Sequence, residues 1–205
     1  MTIRFHKHDL PDLANYNVEA VAIDTETLGL NPHRDRLCVV QISPGDGTAD
    51  VIQIAPGQKK APNLVALLRD KRVTKLFHYA RFDLAVLSHA FGAMPEPVFC
   101  TKIASRLTRT YTDRHGLKDI CYELLGVNLS KAQQSSDWAA ETLSPEQLEY
   151  AASDVLHLHR LREILVTRLM RENRTKVADA CFRFLPARAR LDLMGWGEED
   201  IFAHS

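Results

Sequence analysis

The sequence predicts an α/β fold in which helices flank a central mixed β-sheet and a helical region forms the C-terminal part. Three observations predict it: strand-like runs come first, strand-like and helical patterns then alternate, and helical patterns dominate after residue 101. With 205 residues, 45% of them hydrophobic, the chain is long enough to bury a core. We expect a single domain over residues 1–205, because no linker or internal repeat divides it.

Apolar runs bounded by turn-forming residues mark the strands of the first half. They predict strands over residues 19–24, 36–42, 49–54 and 73–78. A proline and two glycines in residues 44–47 predict a hairpin between the second and third strands. Helices are expected over residues 62–70 and 81–91, and the first of these has three leucines on one face.

The second half is expected to be wholly helical from Thr101 onward. Ser144 can cap a helix, the proline after it suits the first turn, and Gln147 can complete a capping box. Apolar residues then recur at helical spacing, so we expect one helix from this cap to about Arg171. A last helical region follows, and we expect an interruption near Pro186 because proline lacks a backbone donor.

Charge and composition narrow the possible functions. The chain has 26 basic and 26 acidic residues, so its formal net charge is zero. Because proteins that follow a long phosphate backbone usually carry a basic surplus, neutrality favours a small substrate or local basic patches. No apolar run has signal-peptide or membrane-spanning length, so we expect a cytoplasmic protein with no membrane partner. The four cysteines are expected to be reduced thiols.

Four carboxylates and one phenol have the spacing of a metal site. Asp24 and Glu26 are two apart on a predicted strand, so both leave the same face. Asp83 lies just after a later strand, whereas Tyr150 and Asp154 are four apart on one helix face. Each motif alone is a common structural feature. Together, with no nearby lysine expected to neutralise them, they predict a site for Mg²⁺ or Mn²⁺, which oxygen ligands suit.

The order of these motifs resembles the DEDD superfamily of 3′-to-5′ exonucleases. The tyrosine corresponds to the DEDDy branch, which contains ribonuclease D, and the resemblance implies a ribonuclease-H-like fold. Segments at residues 22–30, 34–41, 135–142 and 200–205 resemble nanoRNase C, a group of short alphaproteobacterial relatives of ribonuclease D. One departure is visible: the second superfamily motif usually has asparagine after its histidine, and this chain has Tyr79 there.

The resemblance implies an exoribonuclease with two metal ions in its active site. In the family, Asp24 would bridge both ions, Glu26 and Asp154 would bind the ion on the nucleophile side, and Asp83 would act through water. Tyr150 is expected to orient the attacking water, because a phenol with a pKa of about 10 is a poor base at neutral pH. The resemblance also implies a homo-octamer and a very short RNA substrate, chiefly 5′-phosphorylated dinucleotides such as pGpG. We expect no accessory helical nucleic-acid-binding domain of the ribonuclease D kind.

Ten residues are expected to contact this substrate. They are Thr25, Leu28, Leu30, His78, Lys102, Arg114, His115, Gln134, Ser135 and Ser136. Leu30 either wedges between two bases, as a leucine does in the similar oligoribonuclease family, or belongs to the core. Some of the basic and serine residues, Arg109 among them, are expected to cap a 5′ phosphate and so limit substrate length. His78 has a structural alternative as a hydrogen-bonding residue.

Two other functions remain open from the sequence. One is a general 3′-to-5′ exonuclease that acts on longer RNA or DNA. The other is an inactive nucleic-acid-binding module on the same fold, although the intact set of acidic residues argues against it.

Overall fold

A computed structural model describes residues 2–204 of the chain. Met1 and Ser205 lie outside the described residues. Ser205 is the last residue of the 200–205 segment that resembles nanoRNase C. The strands are β1 (Thr2–Lys7), β2 (Ala20–Thr27), β3 (Leu37–Ser43), β4 (Thr48–Gln53), β5 (Thr74–Phe77) and β6 (Val98–Cys100). The helices are α1 (Pro62–Arg69), α2 (Ala80–Phe91), α3 (Thr101–Thr108), α4 (Leu117–Leu125), α5 (Pro145–Leu156), α6 (Leu158–Arg171) and α7 (Thr175–Leu193). None of the helices within residues 2–204 combines the length and apolar content needed to cross a bilayer.

The strands form one mixed sheet in the order β1-β4-β3-β2-β5-β6. Strand β3 runs antiparallel to both β2 and β4, whereas β5 is parallel to β2, β6 to β5 and β1 to β4. The turn between β3 and β4 contains Gly45 and Gly47 at φ of 94° and 85°, which glycine adopts without a steric penalty. The predicted α/β fold with a mixed sheet and a hairpin at this turn is confirmed.

The central strands are buried on both faces. Every residue of β3 is buried, and successive side chains point to opposite faces of the sheet. Val39 and Val51 pack in a small cluster with Ala151 of α5, while Val40 and Ile52 belong to the main core. Strand β2 is paired with β3 on one side and β5 on the other, so its functional side chains project from a fixed backbone.

The two edge strands were not predicted. Strand β1 has polar and charged residues at four of its six positions, TIRFHK, and β6 is only three residues long. Strand β1 does alternate polar and apolar residues from Thr2 to His6, a short signal that sequence reasoning missed, whereas β6 is too short to show any alternation. Both form because a neighbouring strand, β4 or β5, offers unpaired backbone groups. The local sequence does not contain these partners.

The prediction of one continuous helix from residue 145 to 171 is wrong, because the structure divides this segment into two helices at His157. The α5 helix begins at the predicted Ser144–Gln147 capping box, which is present, and it ends at Leu156. His157 has φ −103° and ψ −9°, away from helical values, and α6 starts at the next residue. The break redirects the chain, since α5 packs on the sheet and α6 packs on α3 and α4.

Two further expectations for the C-terminal half are wrong. Residues 126–144 form turns and loops instead of a helix, because Gly126 ends α4 in the left-handed conformation. In contrast, α7 continues through Pro186 without interruption. Pro186 is buried, and packing of α7 against α2 and β6 compensates for the backbone hydrogen bond that proline cannot donate.

Candidate active site

Three carboxylates meet beside strand β2. Asp24 and Glu26 leave the same face of β2, and Asp154 reaches them from α5, one turn after Tyr150. One oxygen from each of the three carboxylates lies within 4.8 Å of the other two. These three side chains and Tyr150 line one cavity of about 310 Å³. The structure therefore brings the first and third sequence motifs into one site.

Asp83 lies behind this cluster and does not line the cavity. It occupies the first turn of α2 and is 3% exposed. The Thr25 hydroxyl donates a hydrogen bond of 2.7 Å to its carboxylate. Because Thr25 stands between Asp24 and Glu26 in β2, this hydrogen bond ties Asp83 to the same strand segment. Asp83 is thus linked to the site through Thr25 and through its charge.

Gln41 fixes the orientation of Asp24 from the neighbouring strand. The two residues are direct partners in the β2–β3 ladder, and the Gln41 amide donates a hydrogen bond of 2.7 Å to Asp24 Oδ2. Gln41 is fully buried, and its Oε1 atom has no hydrogen-bond partner among the described residues. The side chain is therefore committed to Asp24. Sequence reasoning missed Gln41. The signal that could have identified it was a glutamine within an otherwise apolar strand.

Burial raises the pKa of every carboxyl in the group, and repulsion between carboxylates raises it further for Asp24, Glu26 and Asp83. Burial, followed by the charges of Asp83, Asp154 and Glu26, raises the pKa of Asp24 well above its usual range. The pKa of Glu26 rises to about 9, mainly through burial and then through Asp154. The pKa values of Asp83 and Asp154 rise to about 7 through burial, partly offset by hydrogen bonds from Thr25 and Tyr150 respectively. The cluster therefore resists full ionisation in the absence of a cation.

The Tyr150 hydroxyl faces these carboxylates, and its ring packs on the protein interior. Its ring centroid lies 6.0 Å from that of the buried Trp138. Burial and then the charges of Asp154 and Glu26 raise the pKa of Tyr150 above its usual value. The phenol is consequently protonated at neutral pH, where it can donate a hydrogen bond but cannot act as a base.

The residues of this site fit a divalent cation. None of the ion pairs within residues 2–204 involves Asp24, Glu26, Asp83 or Asp154. Three lysines do line the same cavity, namely Lys102, Lys118 and Lys131, so the sequence-based expectation that no lysine lies nearby is wrong. Their ammonium groups nevertheless stay beyond ion-pair distance. Half-buried carboxylates without a cationic partner are the donor set that hard divalent cations prefer.

A model of the 3′-5′ exonuclease family matches residues 10–170, a range that includes all five residues of the predicted metal site. The chain belongs to the 3′-5′ exonuclease family. A ribonuclease D of Gluconacetobacter diazotrophicus is 39% identical to it over 154 residues, which cover 75% of this chain and 39% of that protein. The chain thus spans about two fifths of the length of the curated relatives it matches.

Solved structures of this exonuclease family extend the similarity to the whole chain. Brucella melitensis NrnC with bound Mg²⁺ is 76% identical with a TM-score of 0.97, and the match covers 100% of both chains. Brucella melitensis NrnC bound to pGG is 77% identical with a TM-score of 0.98 and the same coverage. These matches confirm the resemblance to nanoRNase C and the ribonuclease-H-like exonuclease fold.

Four of the ten predicted substrate-binding residues line the exonuclease cavity. They are Thr25, His78, Lys102 and Gln134. His78 also fits its structural alternative, since its Nδ1 atom lies 2.9 Å from the Thr101 hydroxyl. Burial, and then the charge of Lys102, lowers the pKa of His78 to about 3, so its imidazole is neutral.

The other six predicted residues do not line this cavity. They are Leu28, Leu30, Arg114, His115, Ser135 and Ser136. Leu30 is 83% exposed, which excludes its assignment to the core, and it lines a neighbouring cavity of about 870 Å³. Arg114 pairs with Asp119, and His115 is buried against the Ser105 hydroxyl. Their roles toward substrate stay predictions.

The suggestion that Arg109 binds a phosphate is wrong. Its side chain is 1% exposed and pairs with the Glu123 carboxylate. The same guanidinium donates hydrogen bonds to the Ser105 hydroxyl at 3.0 Å and the Arg114 carbonyl at 2.7 Å. All of its donors face inward, so Arg109 ties α3 to the turn before α4.

Several cavity residues were not singled out in the sequence. They are Gly116, Leu117 and Lys118 at the start of α4, and Leu129, Ser130 and Lys131 in the loop after it. The loop over residues 126–144 was not predicted, because continuous helix was expected after residue 101. Its serine and asparagine content was the signal that would have indicated it.

Proposed function

We propose that the chain is a divalent-metal-dependent 3′-5′ exoribonuclease that hydrolyses very short RNA to mononucleotides. Its main substrates would be 5′-phosphorylated dinucleotides, including pGpG. The observation that carries the proposal is the group of three carboxylates, Asp24, Glu26 and Asp154, whose oxygens lie within 4.8 Å of one another beside Tyr150. Similarity to Brucella melitensis NrnC bound to pGG over the whole chain supports the substrate.

The proposed cofactor is Mg²⁺ or Mn²⁺, with two ions in each active site. Asp24, Glu26 and Asp154 would hold the ions directly, and Asp83 would contribute from behind Thr25. Bound divalent cations would neutralise the phosphoryl charge and lower the pKa of the attacking water. The NrnC structure with bound Mg²⁺, 76% identical to this chain, supports magnesium.

Tyr150 would orient the attacking water by donating a hydrogen bond to it. The raised pKa of Tyr150 keeps the proton on the phenol, and packing on Trp138 limits its motion. Positioning of this kind favours in-line attack because the nucleophile no longer loses rotational freedom on reaching the transition state. Gln41 and Thr25 would keep the flanking carboxylates in place.

Substrate would be held mainly through its phosphates. Lys102, Lys118 and Lys131 line the same cavity as the acidic group, and none of them forms an ion pair within residues 2–204. Gln134, Ser135, Ser136, Arg114 and His115 remain candidates for capping the 5′ phosphate, and Leu28 and Leu30 for contacting the bases. A cavity of about 310 Å³ and zero net charge both suit a small substrate better than a long nucleic acid.

We also propose that eight copies of the chain assemble into a homo-octamer and that the enzyme works in the cytoplasm, where RNA decay produces dinucleotides. The resemblance to nanoRNase C supports this assembly. Light scattering would give a mass eight times that of one chain; the mass of a single chain would reject the octamer.

The function is tested by timing cleavage of 5′-phosphorylated RNAs of two to seven nucleotides. With Mg²⁺ or Mn²⁺, the dinucleotide should disappear fastest, and chelator should stop the reaction. Asp24→Asn, purified identically, excludes a contaminating nuclease because it should be inactive. Comparable rates at every length would reject the dinucleotide preference.

One alternative is a general 3′-5′ exonuclease on longer RNA or DNA, which the similarity to ribonuclease D favours. It would cleave the seven-nucleotide RNA, or DNA of the same length, at least as fast as the dinucleotide. An inactive binding module is the other alternative. It would bind these oligonucleotides but hydrolyse none of them with either metal.

A further inference from the structure

Tyr79 has an unusual backbone conformation at the edge of the active site. It precedes α2 with φ 71° and ψ 42°, the left-handed region. A bulky side chain adopts this region at a cost, because its Cβ approaches the backbone, whereas asparagine enters it more easily. Strained residues of this kind persist only where the surrounding structure holds them, and they are concentrated at functional sites. The contacts of the Tyr79 side chain therefore indicate what this residue does.

The Tyr79 ring lies under the ammonium group of Lys102. The Lys102 Nζ atom is 4.3 Å from the ring centroid, which is within the range of a cation–π contact. The ring is 47% exposed and lines the same cavity as Leu30, so burial in the core does not fix it there. Its left-handed backbone determines where the ring lies instead.

The chain segments that carry the two residues are tied together. The Thr101 hydroxyl donates a hydrogen bond of 3.1 Å to the Phe77 carbonyl, and His78 Nδ1 lies 2.9 Å from the same hydroxyl. The end of β5 is thereby fixed to the start of α3, one residue before Lys102. The backbone segments that carry Tyr79 and Lys102 are therefore held at a fixed distance from each other.

We propose that Tyr79 is a positioning residue that holds the Lys102 ammonium in the catalytic cavity for the substrate phosphate. A free lysine side chain has several rotamers, and fixing one of them before substrate arrives lowers the entropy cost of binding. The ring attracts the ammonium without neutralising it, so its charge remains available to a phosphate. This role rests on the proposed function of the same site.

Three substitutions test the role through steady-state kinetics on pGpG. Tyr79→Phe keeps the ring, so its KM should stay within about twofold of wild type. Tyr79→Leu and Tyr79→Asn remove the ring and should raise KM about three- to tenfold at nearly constant kcat, the range of a cation–π contact. Tyr79→Asn should also unfold at the same or a higher temperature, because asparagine tolerates φ 71°. Tyr122→Leu, an exposed tyrosine that lines neither cavity, is the matched control.

A double-mutant cycle and an activity-independent measurement complete the test. In a Lys102→Met background, Tyr79→Leu should cause no further rise in KM. In NMR spectra of the substrate-free protein, the Lys102 Hε resonances should be shifted upfield by the ring. The shift should persist in Tyr79→Phe and vanish in Tyr79→Leu. Additive effects on KM, or unshifted Hε resonances, would overturn the inference. A wild-type enzyme that hydrolyses no short RNA would instead reject the proposed function, and the NMR result would still decide the position of Lys102.

Discussion

At the scale of single residues, the site depends on side chains that touch the acidic group without being part of it. Gln41 and Thr25 each donate a hydrogen bond to a carboxylate on a neighbouring element, and Trp138 packs on Tyr150. Such supporting contacts commonly change metal affinity or turnover by one to two orders of magnitude when they are lost. Two substitutions distinguish these contributions: Gln41→Leu tests the orientation of Asp24, and Tyr150→Phe tests the role of the phenol.

Tyr150→Phe removes the hydroxyl and leaves the ring on Trp138. We expect kcat on the dinucleotide to fall about 100-fold or more, with KM within about threefold of wild type, because the hydroxyl acts on the nucleophile and not on substrate binding. Tyr122→Phe provides the control, since Tyr122 is exposed on α4. Unchanged turnover in Tyr150→Phe would contradict the proposed role.

Gln41→Leu removes the donor to Asp24 and keeps a similar volume. Metal affinity should fall about tenfold, since Asp24 loses the hydrogen bond that orients it. The free energy of unfolding of the metal-free protein should not fall, because the buried Gln41 Oε1 already lacks a partner. Calorimetric titration with Mn²⁺ measures the affinity. The matched control is Gln53→Leu on β4, whose amide donates to the Ala140 carbonyl; equal loss of affinity in both variants would contradict a specific role.

At the scale of secondary-structure elements, the success of sequence reasoning depended on how local the signal was. The capping box at Ser144 and the glycine turn after β3 are determined within a few residues, and both were predicted correctly. The break at His157 depends on what packs beside it, so residue periodicity alone could not reveal it. Strand β1 has only a short alternating run, and its pairing with β4 completes it as a strand.

The capping box of α5 is a stability element close to the active site. The Ser144 hydroxyl accepts a hydrogen bond from the Gln147 backbone, and the Gln147 side chain accepts one from the Ser144 backbone. We expect Ser144→Ala to lower the free energy of unfolding by about 1 kcal/mol. The value of kcat should remain near wild type, because packing on the sheet holds the later turns that carry Tyr150 and Asp154.

Urea unfolding monitored by circular dichroism measures this loss. Thr142→Ala serves as the control, because Thr142 is exposed two residues before the cap. Gln147→Ala should cost more than Ser144→Ala, since its amide also donates to Ser136 and the Asp137 carbonyl. If Ser144→Ala and Thr142→Ala unfold alike, the cap contributes nothing measurable.

At the scale of the whole molecule, zero net charge conceals an uneven distribution. Three carboxylates and three lysines line one cavity, and the remaining charges of the chain are balanced. The sequence revealed the carboxylates because their motifs have characteristic spacings. The lysines come from α3, α4 and the 126–144 loop, where no local pattern links them. Only the fold brings them together, which is why substrate contacts were predicted less completely than the metal site.

This charge distribution predicts how the stability of the metal-free protein depends on pH. The folded-state pKa values are about 7 for Asp83 and Asp154 and about 9 for Glu26, above the unfolded values of about 4. The folded state therefore retains protons that the unfolded chain has released. Its stability should fall as pH rises through these folded-state values. From pH 6.5 to 8 we expect a loss on the order of 3 kcal/mol from the cluster.

Thermal or urea unfolding at several pH values in that window, with chelator present, measures the slope. Histidines with a lowered folded-state pKa, such as His78, act in the opposite direction in the lower part of this window, and Lys75, whose pKa is lowered to about 8, does so in the upper part. Both contributions are shared by wild type and Asp24→Asn, so they cancel when the two slopes are compared. Asp24→Asn should flatten the slope, because one charge no longer repels the others. Excess Mg²⁺ should stabilise wild type more at pH 8 than at pH 6.5, since the ions compete with protons for the same oxygens. Equal slopes for wild type and Asp24→Asn would show that the carboxylates do not repel one another in the folded protein.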